Sequence, residues 1–481
     1  MLSIAKTPAA AGIVLILLFC GSVLAAPAAA APVAAAAGEA AAPQAAAPAD
    51  SITVLQKIER DVAAVCDSLA ALLGYPLEKP VPVALQPQAE FEAYIQMQLD
   101  RQYSKERRDG FVQLASTLGL LPPDVDFEAL VASLYSSQAA AYYDPERKTF
   151  FLLMEDLDPS ILQMISAHEL THAFQDQHYD LQKFVFDPVA QEQLSGDEEL
   201  ARQFVVEGQA TWTMTVIYTR GMGMAVPLSF FGPAFELQSR MPYEQMLEQF
   251  RTSSSLLGED LAGAATAAAD LPRVLLEPLL LAYNGGAAFY HQVFTAAGRA
   301  GVDSLFSRPP TSSEQVLHPD LFWPERDEPQ SFAPGDRVSL DGLELVPGGR
   351  IVLTDVMGEM LVRVYFQEHG LSDRAEDLAA GWDGDLVVAA RDADDRPVLV
   401  WWTVWDTVED AAEFAQGFRE SLGRRFPEAA TASEAVCTAP DGSCWFVEQR
   451  GSIVHVGGGL QAARLAAVRQ KMGAVVPRAE P

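Results

Sequence analysis

The chain has 481 residues, 49% of them hydrophobic, with 33 Lys and Arg against 65 Asp and Glu and a formal net charge of −32. That length exceeds one typical domain and leaves room for two. The acidity excludes nucleic acid as a partner, because no basic stripe is available to neutralise phosphate.

Residues 1–25 read as a secretory signal peptide. Lys6 supplies the positive start, an apolar run extends from Ala11 to Leu24, and Val23-Leu24-Ala25 offers a small-residue cleavage site. The run falls short of the roughly 20 residues a membrane span needs, so the segment touches a membrane only if it stays uncleaved. Phe19 stands where a lipobox needs a small residue, which argues against lipidation at Cys20. Residues 26–50 form an Ala/Pro-rich linker. The expected location is therefore outside the cytoplasm: periplasmic, cell-surface or secreted. Beyond the signal lie Cys66, Cys437 and Cys444. The last two are spaced for a local disulfide, and Cys66 reads as a small buried hydrophobe.

The first folded unit is expected over residues 51–330. Ile52, Leu55, Ile58, Val62 and Val65 recur at helical spacing from Ser51 to Leu73. Val81 to Leu85 suits a strand, and helices dominate to about Ser137. Residues 141–153 read as a hairpin around Asp144-Pro145-Glu146-Arg147. Asp158-Pro159 then opens a helix, Asp as N-cap and Pro at the first helical position. Ile161, Ile165, His168 and His172 follow on one stripe.

His168-Glu169-Leu170-Thr171-His172 is an H-E-x-x-H pattern. Positions i and i+4 of a helix share a face, so two imidazoles can close on one zinc ion while Glu169 reaches its water as general base. The competing reading is a pair of core histidines bonded to backbone carbonyls. A catalytic zinc takes three protein ligands and leaves a position for water, whose pKa falls toward about 7. Two residues compete as the third. Glu207 interrupts the apolar stripe Leu200, Phe204, Thr211, Met214 of a second expected helix, Asp197 to Arg220, where a lone carboxylate needs a cation. Gly208 beside it costs about 1 kcal/mol mid-helix relative to alanine, and a close helix–helix approach that brings Glu207 to the histidines explains it. The runner-up, His178, has the six-residue spacing of another zinc peptidase group, but that group turns sharply at a glycine where Gln175 stands here. In a continuing helix His178 points away.

The run His168 to His178, followed by Glu207-Gly208-Gln209-Ala210-Thr211, resembles a family of exported prokaryotic zincin-like proteins, and more distantly the gluzincin peptidases. Pro309 to Pro319, Gly381 to Asp385 and Trp405-Asp406-Thr407 look like further signatures, extending the resemblance over residues 80–420. The resemblance implies a zincin-like metalloprotease fold, His168, His172 and Glu207 as ligands of one zinc ion, and Glu169 as general base. It also implies that the strand before the metal helix pairs with an extended peptide. The chain departs at Gln209, where the family tends to have Asp, and lacks the N-E-x-x-x-D pattern, with Val206 before Glu207 and Thr211 four residues after.

Further along, Gly221-Met222-Gly223-Met224 reads as a connection, 261–269 as an Ala-rich helix, and 287–294 as helix after Tyr283-Asn284-Gly285-Gly286. Thr311 and Glu314 form a capping-box pattern before a short helix ending at His318-Pro319. An oxyanion donor is also needed, and His318 and Tyr283 are its candidates, although capping and core packing explain both residues cheaply. His291, His369 and His455 read as structural. The Pro- and charge-rich stretch 324–335 suggests a boundary, and residues 331–481 read as a smaller α+β domain in the order β-β-α-β-β-α, carrying no chemistry.

The expected fold is α+β: a mainly helical zincin-like domain with a small sheet, then the smaller domain. The expected activity is that of an exported zinc metallohydrolase, a peptidase acting on peptide or protein substrates. Its rivals are a catalytically silent zincin-like surface protein and a metal-dependent amidase on a non-peptide substrate.

Overall fold

The computed structural model describes residues 48–478 except 103, 137–139, 154–156, 187–193, 256–270, 335–343, 429 and 434–435. The expected signal peptide, Cys20, the linker up to residue 47 and the expected helix at 261–269 lie outside the described residues. No helix among the described residues is long and apolar enough to cross a membrane.

The fold is α+β, helical first and sheet-rich later. The order begins α1 (Pro48–Leu73), β1 (Val83–Leu85), α2 (Gln88–Gln102), α3 (Lys105–Leu118), α4 (Phe127–Ser136), β2 (Ala141–Asp144), β3 (Thr149–Leu152) and α5 (Pro159–Tyr179). It continues with α6 (Gly196–Gly221), α7 (Gly232–Ser239), α8 (Tyr243–Ser255), α9 (Arg273–Ser307) and α10 (Ser313–Leu317). The sheet-rich part holds β4 (Ser331–Pro334), β5 (Arg350–Asp355), α11 (Gly358–Glu368), α12 (Ala375–Ala379), β6 (Trp382–Arg391), β7 (Pro397–Trp405) and α13 (Val408–Arg425). Then come β8 (Ala430–Ser433), β9 (Val436–Thr438), β10 (Cys444–Arg450), β11 (Ile453–Leu460), α14 (Ala462–Met472) and β12 (Val475–Arg478).

Local chemistry sets the helix ends that matter. Asp158 caps α5 by accepting from the Ser160 N–H at 2.8 Å, Pro159 takes the first position, and Asp180 closes the helix in the left-handed region. Ser195 and Glu198 cap α6 reciprocally. α9 runs straight through Gly285-Gly286, where the sequence suggests a start; its non-helical residue is Gly298. The glycines are tolerated because α6 crosses there backbone to backbone. A Cβ on Gly208 would fall 2.2 Å from the Gly286 carbonyl carbon, and one on Gly286 2.4 Å from the Phe204 oxygen. The close approach expected at Gly208 is therefore made to α9, not to the histidine helix.

The small sheet has the order β1-β3-β2, with β2 at an edge, antiparallel to β3 and packed against α5. The large sheet has the order β5-β6-β7-β11-β10-β9-β8. Alternation sends Trp401 to the face shared with Phe414 and Phe418 of α13, and Trp402 to the face covered by Val468 and Met472 of α14. The two hairpins expected in this half are present, and β5, β8 and β9 extend the sheet beyond them.

One core runs without a break from Leu99 to Val456, across the expected boundary at 330. Polar ties follow the same route: Gln113 of α3 donates to the Ala390 carbonyl at 2.8 Å, and the Gly196 N–H to Asp355 at 2.9 Å. Two local expectations are corrected. Ser312, not Thr311, caps α10, accepting from the Gln315 N–H, while Thr311 bonds Glu328. Cys437 and Cys444 are free thiols: Cys444 lies opposite Thr438 and Cys437 opposite Trp445, so register sends the two sulfurs to opposite faces.

Candidate metal centre

α5 carries His168, Glu169 and His172 inward, and α6, packed beside it, carries Glu207 toward them. His168 Nε2 lies 3.1 Å from Glu207 Oε2, and His172 Nε2 lies 3.8 Å from the same oxygen. One donor atom from each of the three residues falls within 4.8 Å of the others, the sole such His/Cys/Asp/Glu group among the described residues. All are buried: His168 is 4% exposed, His172 1% and Glu207 0%.

The donors fit a cation on an observation of their own. His172 Nε2 and Glu207 Oε1 are buried without a hydrogen-bond partner. Leaving such atoms dry costs about 1–3 kcal/mol each, more when charged, and an ion shared by the three residues removes that cost. Two imidazoles and one carboxylate are the donor set of a zinc site with an open position. Burial pushes His168 down to about 3 and His172 to about 4, so both rings are neutral, the form that ligates. Burial raises Glu207 to about 7, opposed by His172 and by the Tyr283 hydroxyl; a cation would drive it back to the ionised form.

Glu169 is 1% exposed, and its Oε2 accepts from the Tyr143 N–H of β2 at 3.0 Å. Burial, and then the Glu207 charge, raise its pKa well above the carboxylate range, while that N–H works against the rise. The Tyr143 hydroxyl donates to Asp176 at 2.7 Å, and Lys148 pairs with the same carboxylate at 2.7 Å. This anchors the edge strand to α5 at both its backbone and its side chain.

The other candidates separate. Tyr283 joins the cluster, its ring stacked on His168 with centroids 5.7 Å apart and its hydroxyl favouring ionised Glu207. The Gly208–Gly286 crossing brings it there, three residues before Gly286. His178 is exposed, stacks on Tyr75 and meets Arg299 at 2.8 Å, away from the pair. His318 meets Glu359 at 3.0 Å, a contact that raises its pKa, and lines a separate cavity of about 670 Å³. His291 accepts from the Trp212 indole, and His369 meets the Leu118 carbonyl.

Sequence reasoning passed over Gln175, whose Oε1 lies 2.9 Å from His172 Nδ1. Its spacing of i+3 from a ligand candidate was the available signal.

A family model described as a domain of unknown function (DUF8575) matches residues 345–469, the large-sheet region, and includes none of the cluster residues. No curated protein and no solved structure matches the chain.

Proposed function

We propose that the protein is a zinc-dependent hydrolase of amide bonds, with peptides as the substrate class, holding one ion through His168, His172 and Glu207. The observation that carries this reading is the convergence, from two helices, of three buried donors of which two have an orphaned atom. When bound, the ion supplies Lewis acidity, polarising a substrate carbonyl and making water acidic near neutral pH. Glu169, one oxygen held by the Tyr143 N–H, has the other free to take a proton from the attacking water and return it to the leaving amine nitrogen. The Tyr283 hydroxyl favours the ionised form of Glu207, against the effect of burial, and its ring packs on His168. The signal-like first 25 residues support action outside the cytoplasm.

The test is metal analysis of the purified protein together with peptide-library cleavage, with and without a chelator. One zinc per chain, chelator-sensitive cleavage, and a Glu169→Gln variant that keeps zinc but does not cleave are expected. A metal-free chain, or cleavage at the wild-type rate in that variant, refutes the assignment.

The depth of the cluster favours a second reading, a zincin-like binding protein in which zinc is structural, since a substrate has to reach a catalytic ion and these donors are 4% exposed or less. Stoichiometric zinc with no cleavage of any peptide or simple amide selects it.

A further inference from the structure

Resting on that metal-site reading, we propose that Gln175 is the positioning residue that fixes the tautomer of His172 and sets the zinc affinity, through an amide chain running α5 to α6 to α9.

Gln175 Nε2 donates to the Val206 carbonyl at 2.9 Å and to Gln209 Oε1 at 3.0 Å. A backbone carbonyl only accepts, so the Val206 contact fixes which end of the amide is nitrogen. The opposite end, Oε1, is therefore an acceptor, and it faces His172 Nδ1 at 2.9 Å. That ring nitrogen must carry the proton. Nε2 is then left with a bare lone pair, buried, unpartnered and 3.8 Å from the Glu207 carboxylate. With Glu207 ionised, two acceptors face each other there, and a cation suits both. Gln209 Nε2 continues the chain to the Tyr290 hydroxyl at 3.2 Å.

The arrangement explains the residue types at both positions. Position 175 has to accept from an imidazole and donate to a carbonyl at once, which a carboxamide does and an ionised carboxylate does not. Position 209 has to take the second amide hydrogen of Gln175 and pass a donor on to Tyr290, which favours Gln there over Asp. Partners of this kind orient ligating histidines, and losing one typically weakens metal binding by about 10- to 100-fold.

The experiment uses the full-length chain, labelled with 15N-histidine, and zinc titrated in competition with a chromophoric chelator. In the metal-free wild type, the His172 ring, assigned by difference with His172→Asn, is expected to show the single Nδ1–H tautomer. Gln175→Met is expected to mix the tautomers and weaken zinc by about 10- to 100-fold. Gln209→Met leaves the Val206 anchor in place and is expected to lose less, under about tenfold. It also carries the test if Gln175→Met does not fold. Wild-type tautomer and wild-type zinc affinity in whichever of the two variants folds overturn the proposal while leaving the metal site standing. A wild type that shows the expected tautomer but binds no zinc overturns the metal-site reading, and with it the claim on affinity.

Discussion

Asp385 of the large sheet and Glu207 of the helical part are buried to the same degree, 2% and 0% exposed, yet their surroundings differ. Asp385 accepts from the Met357 N–H, the Gly358 N–H and the Trp382 indole, each at 2.9 Å. Glu207 has an orphaned oxygen and faces two imidazoles with depressed pKa values. The first carboxylate is a fastening that ties the start of α11 to β6. The second keeps an acceptor unused, as a metal-ligating carboxylate awaiting its ion would under the proposed function. Burial alone therefore does not separate these two carboxylates; the donors around each oxygen do.

The sharpest way to break the contrast is at Glu207. Glu207→Ala should reduce zinc from one per chain to none by elemental analysis, whereas Asp385→Asn should leave zinc unchanged and lower stability. Equal effects on metal content would erase the distinction. Glu169→Gln should keep the metal and lower kcat/KM by about 10²- to 10⁴-fold on whatever peptide is cleaved. Gly286→Ala forces a methyl into the α6–α9 crossing and should cost on the order of 3 kcal/mol in denaturant unfolding, with weaker zinc binding alongside.

The pH response is a finer probe. Burial raises Asp355 to about 7, above its unfolded value near ~3.9. A raised carboxylate means the folded state binds the proton more tightly. Its stabilisation is complete at low pH and is lost as pH rises toward 7. Neutral His168 and His172 act in the opposite sense, so the informative quantity is a difference. Asp355→Asn should flatten the decline in stability between pH 5 and 8 by on the order of 2 kcal/mol, read from urea midpoints. The smallest expected effect is at α10: Ser312→Ala should cost about 1 kcal/mol and Thr311→Ala less, measured by thermal unfolding.

Periodicity and capping residues were enough to place α5, α6 and the paired hairpins, because each of those signals is local. Glu207 stood out because an apolar stripe was broken by a carboxylate. Four features did not show. The partner of Gly208 lies 78 residues further on, and a lone glycine reveals only that something comes close. Gln175 reads as an ordinary polar helix residue until Val206 supplies the carbonyl that orients it. The choice of Ser312 over Thr311 and the separation of Cys437 from Cys444 each depend on a shift of one position, which composition does not resolve.

The Gly208–Gly286 crossing has a mechanical consequence. A joint made of main-chain atoms has no rotamers to relax, so the wall carrying Glu207 and Tyr283 is stiff. The opposite wall is fastened by side chains instead: Tyr143 of β2 and Lys148 of the turn that follows latch the hairpin to α5. Loosening that latch, and not prying the two long helices apart, is the expected route by which this interior opens, to be read as faster amide exchange in β2 than across the α6–α9 crossing.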